Sequence, residues 1–387
     1  MPRIRPVALS LAILSILILS TFSFAVSSDR IKGSINTGQT VRLGARVPLQ
    51  ARPKFDQGPV DPFLNMSYIT LMTVPSDAQQ KALQTLLAEQ QNPHSASYHK
   101  WLTVGQYADQ FGLSPNDIDK LTAWLKSQGF SIVRTANGRN WIAFGGTAAQ
   151  VERTFQVKIH SFKVDGDLRF SNINSPSIPS ALSGIVVGFR GLNDFRPKSQ
   201  ARRAPPGYTY PANGGEYLFL APGDIKTMYD INTLYTNGID GSNQVLGIVG
   251  QTGIYQSDLT NFRQNFGLSA INCGSGVSGD IIKSCNTSNF RYALVEGNAT
   301  TISLNDLPEA DIDLEWSGAT ARNAQIVYFN APSGGGVWDA WYFAVDNEST
   351  YGESVISMSY TAPCELAEAG PGTGEFTFTG DEAQLAT

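Results

Sequence analysis

The feature that most constrains the fold is the stretch RPKSQARRAPPGYTYPANGG, which begins at Arg196 and ends at Gly215. It is rich in arginine, proline and glycine and shows no apolar periodicity, so it predicts an exposed linker over residues 196–214, where proteases tend to cut. A chain of 387 residues divided here is expected to form two domains, and its 42% of hydrophobic residues suffices for two cores. We interpret the linker's basic side chains as solvated: Arg196, Lys198, Arg202 and Arg203.

The two sides of the linker carry opposite charge. Residues 1–204 contain 23 Lys and Arg against 12 Asp and Glu, whereas residues 205–387 contain 5 against 21, which together give the net charge of −5. Two interpretations remain open. Either each surface simply carries the charge that a soluble protein needs, or the two parts dock on each other through complementary electrostatic fields.

The first residues have the pattern of an export signal. Arg3 and Arg5 precede an apolar run, residues 7–18, and Ser23-Phe24-Ala25 has the small residues that a signal peptidase recognises. We therefore predict a signal peptide over residues 1–25 and a secreted protein, extracellular or periplasmic. A single membrane anchor is the alternative, although the apolar run is short for a span. No later segment is apolar and long enough to cross a membrane, so we expect no membrane contact after signal removal.

Before the linker, strand and helix patterns occur in mixed order. Alternating and continuous apolar runs predict strands, and Ser or Thr residues followed by apolar helical spacing predict the starts of helices. Such a mixture is typical of a small α+β sandwich. The predicted elements are strands at Tyr68–Val74, Ser131–Ala136, Trp141–Gly146 and Gln156–Val164, and helices that begin near Ser76, Ser114 and Thr147.

After the linker, strands alternate with helices, which predicts an α/β fold with a parallel sheet covered on both faces. Sheets of this kind place their chemistry at the carboxyl ends of the strands. The predicted strands are Val245–Gly250, Gln325–Asn330 and Ser354–Tyr360, and the predicted helices are Ser257–Phe266, Leu307–Thr320 and Gly336–Val345.

Several chemistries are excluded by residue type. All three histidines, His94, His99 and His160, precede the linker, so the acidic part cannot build a Ser-His-Asp triad or a His-ligated zinc site by itself. The segment Gly274–Gly279 matches GxGxxG but follows a cysteine rather than a strand, and we interpret it as a surface loop. The acidic part has no phosphate-binding P-loop and no basic surface for nucleic acid.

The most unusual segment is LPEADIDLEWSGATA, residues 307–321, which predicts a helix with four closely spaced carboxylates: Glu309, Asp311, Asp313 and Glu315. On a helical wheel, Glu309 and Asp313 lie on the side of Ile312, Trp316 and Ala319, which we expect to be buried. The other two acids lie on the opposite side, where water can screen them. The four carboxylates therefore form two pairs with different environments.

Burying two carboxylates on one helix face is costly unless they are paired, hydrogen-bonded or protonated, and this favours a functional pair. Structural alternatives remain open. Glu309 could form a capping box with Asp306, and Asp313 could accept a buried hydrogen bond from the backbone.

Short motifs in a fixed order resemble those of the sedolisin family, the serine-carboxyl peptidases. The resemblance covers nearly everything after the signal peptide. The residues before the linker resemble a kumamolisin-type propeptide. The residues after it resemble the start of the mature enzyme and its signature helix. The matching segments are Tyr98–Thr103, Phe144–Ala148, Gly191-Leu192, Pro222–Ile225, Tyr229–Ile231, Glu309–Glu315, Ser317–Ala319 and Gln325–Tyr328.

This resemblance implies a fold, a triad and a division of the chain. It implies an α+β, ferredoxin-like activation propeptide over residues 39–195, and an incomplete subtilisin-like catalytic domain with a parallel sheet over residues 215–387. The family uses a Ser-Glu-Asp triad, in which Glu309 is similar to the general base and Asp313 to the acid that orients it. A base with a reference pKa of about 4.3 can still accept a proton in acid, where histidine, at about 6.5, is protonated. The resemblance therefore implies acid-acting endopeptidase activity.

The sequence also departs from the family. The Gly-Asp-Ser-Gly turn of the oxyanion Asp and the Gly-Thr-Ser of the nucleophile do not occur in it, and the family's calcium site is expected in the same missing portion. Gly250 stands where some members have a Glu that supports the triad, and Tyr360 where those members have an aromatic residue. We expect a disulfide between Cys273 and Cys285, with Cys364 paired to a residue further along. Hydrolysis by this chain alone is expected to be nil.

We therefore predict the precursor of a secreted serine-carboxyl endopeptidase that acts on protein or peptide substrates, with the propeptide docked on its own catalytic domain. Two other classes remain open. One is a non-catalytic inhibitor or chaperone with a vestigial peptidase domain, and the other is a surface-binding α/β domain. The reading frame beyond Thr387 discriminates the peptidase precursor from the inhibitor or chaperone, because a peptidase would continue into the missing serine segments.

Overall fold

The computed structural model describes residues 27–44, 47–199, 209–212, 215–218, 220–296, 301–332 and 334–361. The predicted signal peptide, residues 1–25, lies outside the described residues, as do most of the linker and Cys364. Across the described ranges, no helix has both the length and the apolar character that a membrane span requires.

The first region, residues 27–199, is built from four helices and several antiparallel strands. The helices are α1 (Asp77–Gln91), α2 (Val104–Phe111), α3 (Pro115–Ser127) and α4 (Ala148–Phe155). The strands are β1 (Thr40–Arg42), β2 (Asp56–Pro59), β3 (Asn65–Thr73), β4 (Ser131–Thr135), β5 (Trp141–Thr147), β6 (Ile159–Val164), β7 (Asp167–Asn172), β8 (Ser177–Pro179), β9 (Val186–Arg190) and β10 (Lys198–Ser199).

The starts of these helices follow from side-chain caps. The helix start predicted near Ser76 is confirmed, and a capping box forms it, because Ser76 and Gln79 each bond the backbone of the other. Ser114 accepts from the Asp117 amide at the start of α3, and Pro115 occupies the first helical position. Helix α2 was not predicted, although Thr103 caps it in the same way.

Four strands form the main sheet of the first region, in the order β4-β5-β3-β9, and every neighbouring pair is antiparallel. One face of this sheet carries Ile69, Leu71 and Phe144, which pack with Leu121 and Phe155 from helices α3 and α4. These five side chains have no solvent exposure. The first region therefore has its own core, as the predicted α+β sandwich requires.

The second region, residues 209–361, has ten strands and six helices among its described residues. The strands are β11 (Thr209–Ala212), β12 (Gly215–Leu218), β13 (Val245–Gly250), β14 (Val277–Ser278), β15 (Ile281–Ile282), β16 (Cys285–Asn286), β17 (Phe290–Leu294), β18 (Gln325–Asn330), β19 (Val355–Ser357) and β20 (Tyr360–Thr361). The helices are α5 (Pro222–Met228), α6 (Ile231–Thr236), α7 (Gln256–Asn265), α8 (Leu307–Thr320), α9 (Val337–Asp346) and α10 (Glu348–Tyr351).

The main sheet of this region has the order β16-β17-β18-β13-β19. Strands β17, β18, β13 and β19 are parallel to one another. The edge strand β16 is antiparallel to β17. The prediction of parallel strands is confirmed, but β17 was not predicted. Helices α7 and α8 contact each other and pack on one face of the sheet, which brings the carboxyl ends of the strands close to the start of α8.

Helix α9 lies between the two regions. Its residues Val337, Ala340, Tyr342, Phe343 and Ala344 are all buried, although they point to different sides of the helix. A helix that is apolar all round needs cover all round. Part of that cover comes from the first region, because the same apolar cluster includes the following side chains: Tyr68, Met72, Ala136, Trp141 and Ala143.

Polar contacts also join the two regions. The Asp346 carboxylate accepts from the backbone amides of Asn137, at 2.9 Å, and Gly138, at 2.8 Å. Arg134 forms an ion pair with Glu296 at 2.8 Å. Basic groups of the first region thus meet acidic groups of the second, as the docking interpretation of the charge asymmetry predicted.

The expected disulfide between Cys273 and Cys285 is present. It joins the turn before β14 to the antiparallel edge strand β16. The GxGxxG segment lies between the two cysteines. Its first three residues form a 3-10 turn, and Val277–Ser278 pairs with Ile281–Ile282 as a hairpin. This geometry agrees with the predicted surface loop, because the segment neither follows a strand nor opens a helix.

Candidate active site

Helix α8 begins at Leu307, and the residue before it, Asp306, is the N-cap residue but makes no side-chain cap. The Asp306 carboxylate instead accepts from Gln251, at 3.1 Å, and from the Ser303 hydroxyl, at 2.7 Å. The capping-box alternative for Glu309 is therefore wrong. The carboxylate of Asp306 is held by the end of strand β13 and by the turn before the helix.

The buried face of α8 differs from the one predicted. Ala310, Leu314 and Gly318 are buried, and the first two belong to the cluster that includes the β18 side chains Ile326 and Tyr328. Ile312, which was expected to be buried, is 43% exposed. Glu309 and Asp313 consequently lie on one flank of the helix, beside the packed face rather than at its centre.

Glu309 is buried, with 7% of its surface exposed. Its Oε2 atom accepts a hydrogen bond of 2.8 Å from the hydroxyl of Ser199. Ser199 lies 110 residues earlier in the chain, in strand β10 at the end of the first region. The carboxylate is therefore placed where a serine hydroxyl can donate to it.

Asp313 lies one turn further along the same flank. The Ser359 hydroxyl donates to its Oδ1 atom at 2.9 Å. Burial, together with the charge of Glu309, raises the pKa of Asp313 to about 6. The hydrogen bond from Ser359 opposes this rise. The alternative of a backbone donor to Asp313 is wrong, because the donor is the side chain of Ser359.

The opposite flank of α8 is less solvated than predicted. Glu315 is only partly exposed, and burial raises its pKa to about 8, with added repulsion from Asp311 and Asp258. Our expectation that water screens Asp311 and Glu315 is therefore wrong for Glu315. Both flanks of the helix carry partly desolvated acids, but the serine hydroxyls of Ser199 and Ser359 lie on the flank of Glu309 and Asp313.

The start of the predicted linker is structured. Lys198–Ser199 pairs antiparallel with Tyr360–Thr361, with Ser199 opposite Tyr360. Burial lowers the pKa of Arg196, so the prediction of a solvated basic run is wrong for this residue. Lys198 is exposed and pairs with Asp165 at 2.9 Å. The first residues of the linker, 196–199, thus run as an extended segment past the acid pair.

Comparison with known proteins gives relatives for both regions. The pro-kumamolisin activation domain matches residues 56–195. Xanthomonalisin from Xanthomonas sp. (strain T-22) is 29% identical over 201 residues, which are 49% of this chain and 24% of the relative. Kumamolisin from Bacillus sp. (strain MN-32) is 24% identical over 264 residues, 66% of this chain and 44% of the relative, so that this match extends past the activation domain. These matches support a sedolisin-family precursor that contains a propeptide.

Sedolisin from Pseudomonas sp. (strain 101) is a further relative, 24% identical over 185 residues, 46% of the chain and 30% of the relative. The chain thus spans between about a quarter and under half of the length of these curated relatives. The first region is hereafter called the propeptide region and the second the peptidase region.

Gly250 ends the central strand β13 beside a tyrosine. A Cβ atom added to Gly250 would overlap the hydroxyl of Tyr328. Tyr328 is fully buried, and its hydroxyl donates to the Thr252 carbonyl at 2.8 Å. The space beside Gly250 is therefore filled by a phenol, and no larger residue fits there without a shift. The nearby acids Asp306, Glu309 and Asp313 raise the pKa of Tyr360, after the larger effect of burial.

Sequence analysis missed three polar residues of this site: Ser199, Ser359 and Gln251. Ser199 lies in a segment whose composition predicted a linker, so no local pattern marks it. Gln251 follows the predicted strand Val245–Gly250. Ser359 lies inside the predicted strand Ser354–Tyr360, whereas in the structure it follows the shorter strand β19. Polar residues at the carboxyl ends of parallel strands are the signal that could have found them. In the part of the chain that the structure describes, no three His, Cys, Asp or Glu side chains converge into a metal site.

Proposed function

We propose that the chain belongs to the precursor of a secreted serine-carboxyl endopeptidase that hydrolyses peptide bonds in acid. The observation that carries this proposal is the hydrogen bond from the Ser199 hydroxyl to buried Glu309, beside Asp313 on the same flank of α8. A general base has to lie within about 2.6–3.2 Å of the proton that it takes, and the Ser199 contact of 2.8 Å satisfies this condition for a serine hydroxyl.

In the proposed reaction, the hydroxyl oxygen of the attacking serine bonds to the carbonyl carbon of the substrate. Glu309 takes the proton of that hydroxyl at the same time. Asp313 holds the base in place. Because the pKa of Asp313 is raised to about 6, this carboxyl is neutral in acid and does not repel a negative charge on Glu309. A histidine in the role of base would be protonated under the same conditions. The pair therefore suits acidic solution.

The path of the linker supports a peptide substrate. Strand β10 adds to Tyr360–Thr361 through backbone pairing, which accepts any extended chain and depends little on its side chains. A peptide in the same position would pass next to Glu309. While the linker lies there it blocks that position, which is consistent with a propeptide that restrains its own peptidase.

The finer assignments of fold and boundary are part of this proposal. The order β4-β5-β3-β9, with helices after β3 and β5, supports a ferredoxin-like propeptide, and the parallel sheet supports a subtilisin-like catalytic domain. We assign the signal peptide to residues 1–25, the propeptide to 39–195, the linker to 196–214 and the peptidase region to 215–387. Because strand β10 is part of the linker, its docked portion extends at least to Ser199.

Two expectations follow from the segments that the sequence does not contain. Neither Gly-Thr-Ser nor Gly-Asp-Ser-Gly occurs in it, so we expect residues 1–387 by themselves not to hydrolyse peptides. The calcium site is proposed to lie in the same uncovered part of the relatives, since the described residues offer no cluster of ligands. No step proposed above involves calcium.

The test uses a version of the chain that carries the family's serine segment. Glu309→Gln cannot accept the proton, so peptide cleavage at about pH 4 should fall by roughly 10² to 10⁴-fold. Glu315→Gln, on the opposite flank of the same helix, is the matched control and should retain the rate within about twofold, as expected of a carboxyl outside the reaction. Equal cleavage by the wild type and Glu309→Gln would exclude Glu309 as the base.

A further inference from the structure

Gln251 is a buried amide at the carboxyl end of the central strand. It follows Gly250, the last residue of β13, and is only 6% exposed. Buried amides need partners for both their oxygen and their nitrogen. The partners of Gln251 come from three separate segments: the start of α9, the residue before α8 and the linker.

These partners fix the orientation of the amide. The Val337 backbone N–H can only donate, and it donates to Oε1 of Gln251 at 3.3 Å. The Asp306 carboxylate accepts from Nε2 at 3.1 Å. Reversing the amide would place a donor against the Val337 N–H and an acceptor against the Asp306 carboxylate. The second hydrogen on Nε2 is thereby directed to the Pro197 carbonyl, 2.9 Å away.

The Pro197 carbonyl belongs to an extended backbone that runs past Glu309. Two residues later, the Ser199 hydroxyl donates to Glu309. Between these contacts, Lys198–Ser199 pairs with Tyr360–Thr361. The passing chain is therefore held by the backbone of β20 and by the side chain of Gln251, and the distance between Gln251 and Glu309 sets which residue of the chain reaches the base.

We infer that Gln251 is a substrate-binding residue that donates a hydrogen bond to a backbone carbonyl of the peptide, two residues before the one that contacts Glu309. This inference rests on the proposed function. Because the contact is made to a carbonyl, it is available in every peptide sequence, including one with proline at that position. Gln251 therefore fixes the register of an extended substrate without selecting its side chains.

The first test measures backbone hydrogen exchange in the intact 387-residue chain. The exchange is read on the peptide of residues 194–199, which contains the start of the linker. Gln251→Leu keeps the volume but removes the donor, and Gln251→Met keeps the length and a weak sulfur acceptor for Val337 but also removes the donor. Losing one hydrogen bond should speed linker exchange by about three- to tenfold in both variants. The control is Gln264→Leu, at an exposed position on α7, which should exchange like the wild type.

Exchange of helix α9, measured in the same samples, shows whether each variant keeps its fold. If linker exchange is unchanged in both Gln251 variants while α9 stays protected, the inference is wrong. If Gln251→Leu loosens α9, the Met variant decides, because it retains a weak acceptor for Val337.

The second test concerns the substrate itself and uses the version with the serine segment. Gln251→Leu should raise KM for an unstructured peptide about three- to tenfold and change kcat less, since the lost bond is made to bound substrate as well as to the transition state. An unchanged KM with normal cleavage would overturn the inference and leave the proposed function intact. If the wild type cleaves no peptide, the proposed function fails, and the linker exchange alone decides whether Gln251 holds an extended chain.

Discussion

The propeptide region and the peptidase region differ in the direction in which they shift the pKa values of their carboxyl groups. In the propeptide region, hydrogen bonds from Ser114 and Asn116 lower the pKa of Asp29, and the Gly58 amide lowers that of Asp56. In the peptidase region, burial raises the pKa of Asp313 to about 6, Glu353 to about 7 and Glu315 to about 8. Exceptions exist, because burial raises the pKa of Asp194 and hydrogen bonds lower that of Asp240.

The difference predicts opposite responses to acid. A carboxyl with a lowered pKa contributes stability above its usual pKa and loses it as the pH falls. A carboxyl with a raised pKa contributes stability that is fully present below its usual pKa and is lost as the pH rises through the raised value. Acidification should therefore weaken contacts in the propeptide region while it favours the folded peptidase region. The interface between them therefore joins two sets of carboxyl groups that respond to acid in opposite directions.

The largest expected effect is at that interface. Asp346→Ala removes the acceptor of two backbone N–H groups in the turn between β4 and β5, and leaves them without this partner. We expect docking of the two regions to weaken by about 2–4 kcal/mol, the cost of stranding buried donors. Hydrogen exchange of residues 136–140 measures this loss. Unchanged exchange there would mean that apolar packing on α9 alone holds the propeptide region.

A smaller effect is expected at Glu353, which is 2% exposed and whose two carboxyl oxygens have no hydrogen-bond partner from another residue in the described part of the chain. Because its pKa is raised to about 7, wild-type stability falls as the pH rises from about 4.5 through 7. Glu353→Gln does not ionise, so it should be more stable than the wild type at pH 8 by about 1–2 kcal/mol and equal to it at pH 4. Urea unfolding at the two pH values checks this, and equal stability at pH 8 would contradict it.

The smallest effect is expected in the propeptide region. The Asp56 carboxylate lies 2.9 Å from Nδ1 of His160 and accepts from the Gly58 amide. Asp56→Asn should lower the thermal midpoint slightly at pH 7, by less than about 1 kcal/mol in stability, as for other partly exposed ion pairs. The loss should shrink as the pH falls through the lowered pKa of Asp56, where the wild-type carboxyl also becomes protonated. A loss that stays constant down to the acid limit of the folded protein would point to packing rather than charge.

Elements with strong local signals were predictable from the sequence. The predicted helix 307–320 and strand 325–330 agree with α8 and β18 at both ends, because apolar periodicity and flanking polar residues delimit them. Strand β17 was missed, since five residues without turn signals give little evidence by themselves. Strand β10 was missed because its two residues are extended only through pairing with β20.

The candidate site shows the same division between local and distant information. Glu309 and Asp313 were found because residues four apart share one flank of a helix. Glu309 and Ala319 are buried as predicted. Ile312 is exposed, however, and the smaller Ala310 and Gly318 pack closely against the sheet instead. The serine that contacts Glu309 lies 110 residues away, and the one that contacts Asp313 lies 46 residues away. Only the tertiary fold brings such residues together.

The bond between Cys273 and Cys285 has a consequence for the rim of the parallel sheet. Strand β16 covers the outer side of β17 with only two residue pairs, and Cys285 belongs to one of them. Without the covalent tether, so short a strand would detach easily and leave β17 with unpaired backbone groups that can recruit another molecule's strand. An oxidising compartment would thus protect this protein from aggregation as well as from unfolding.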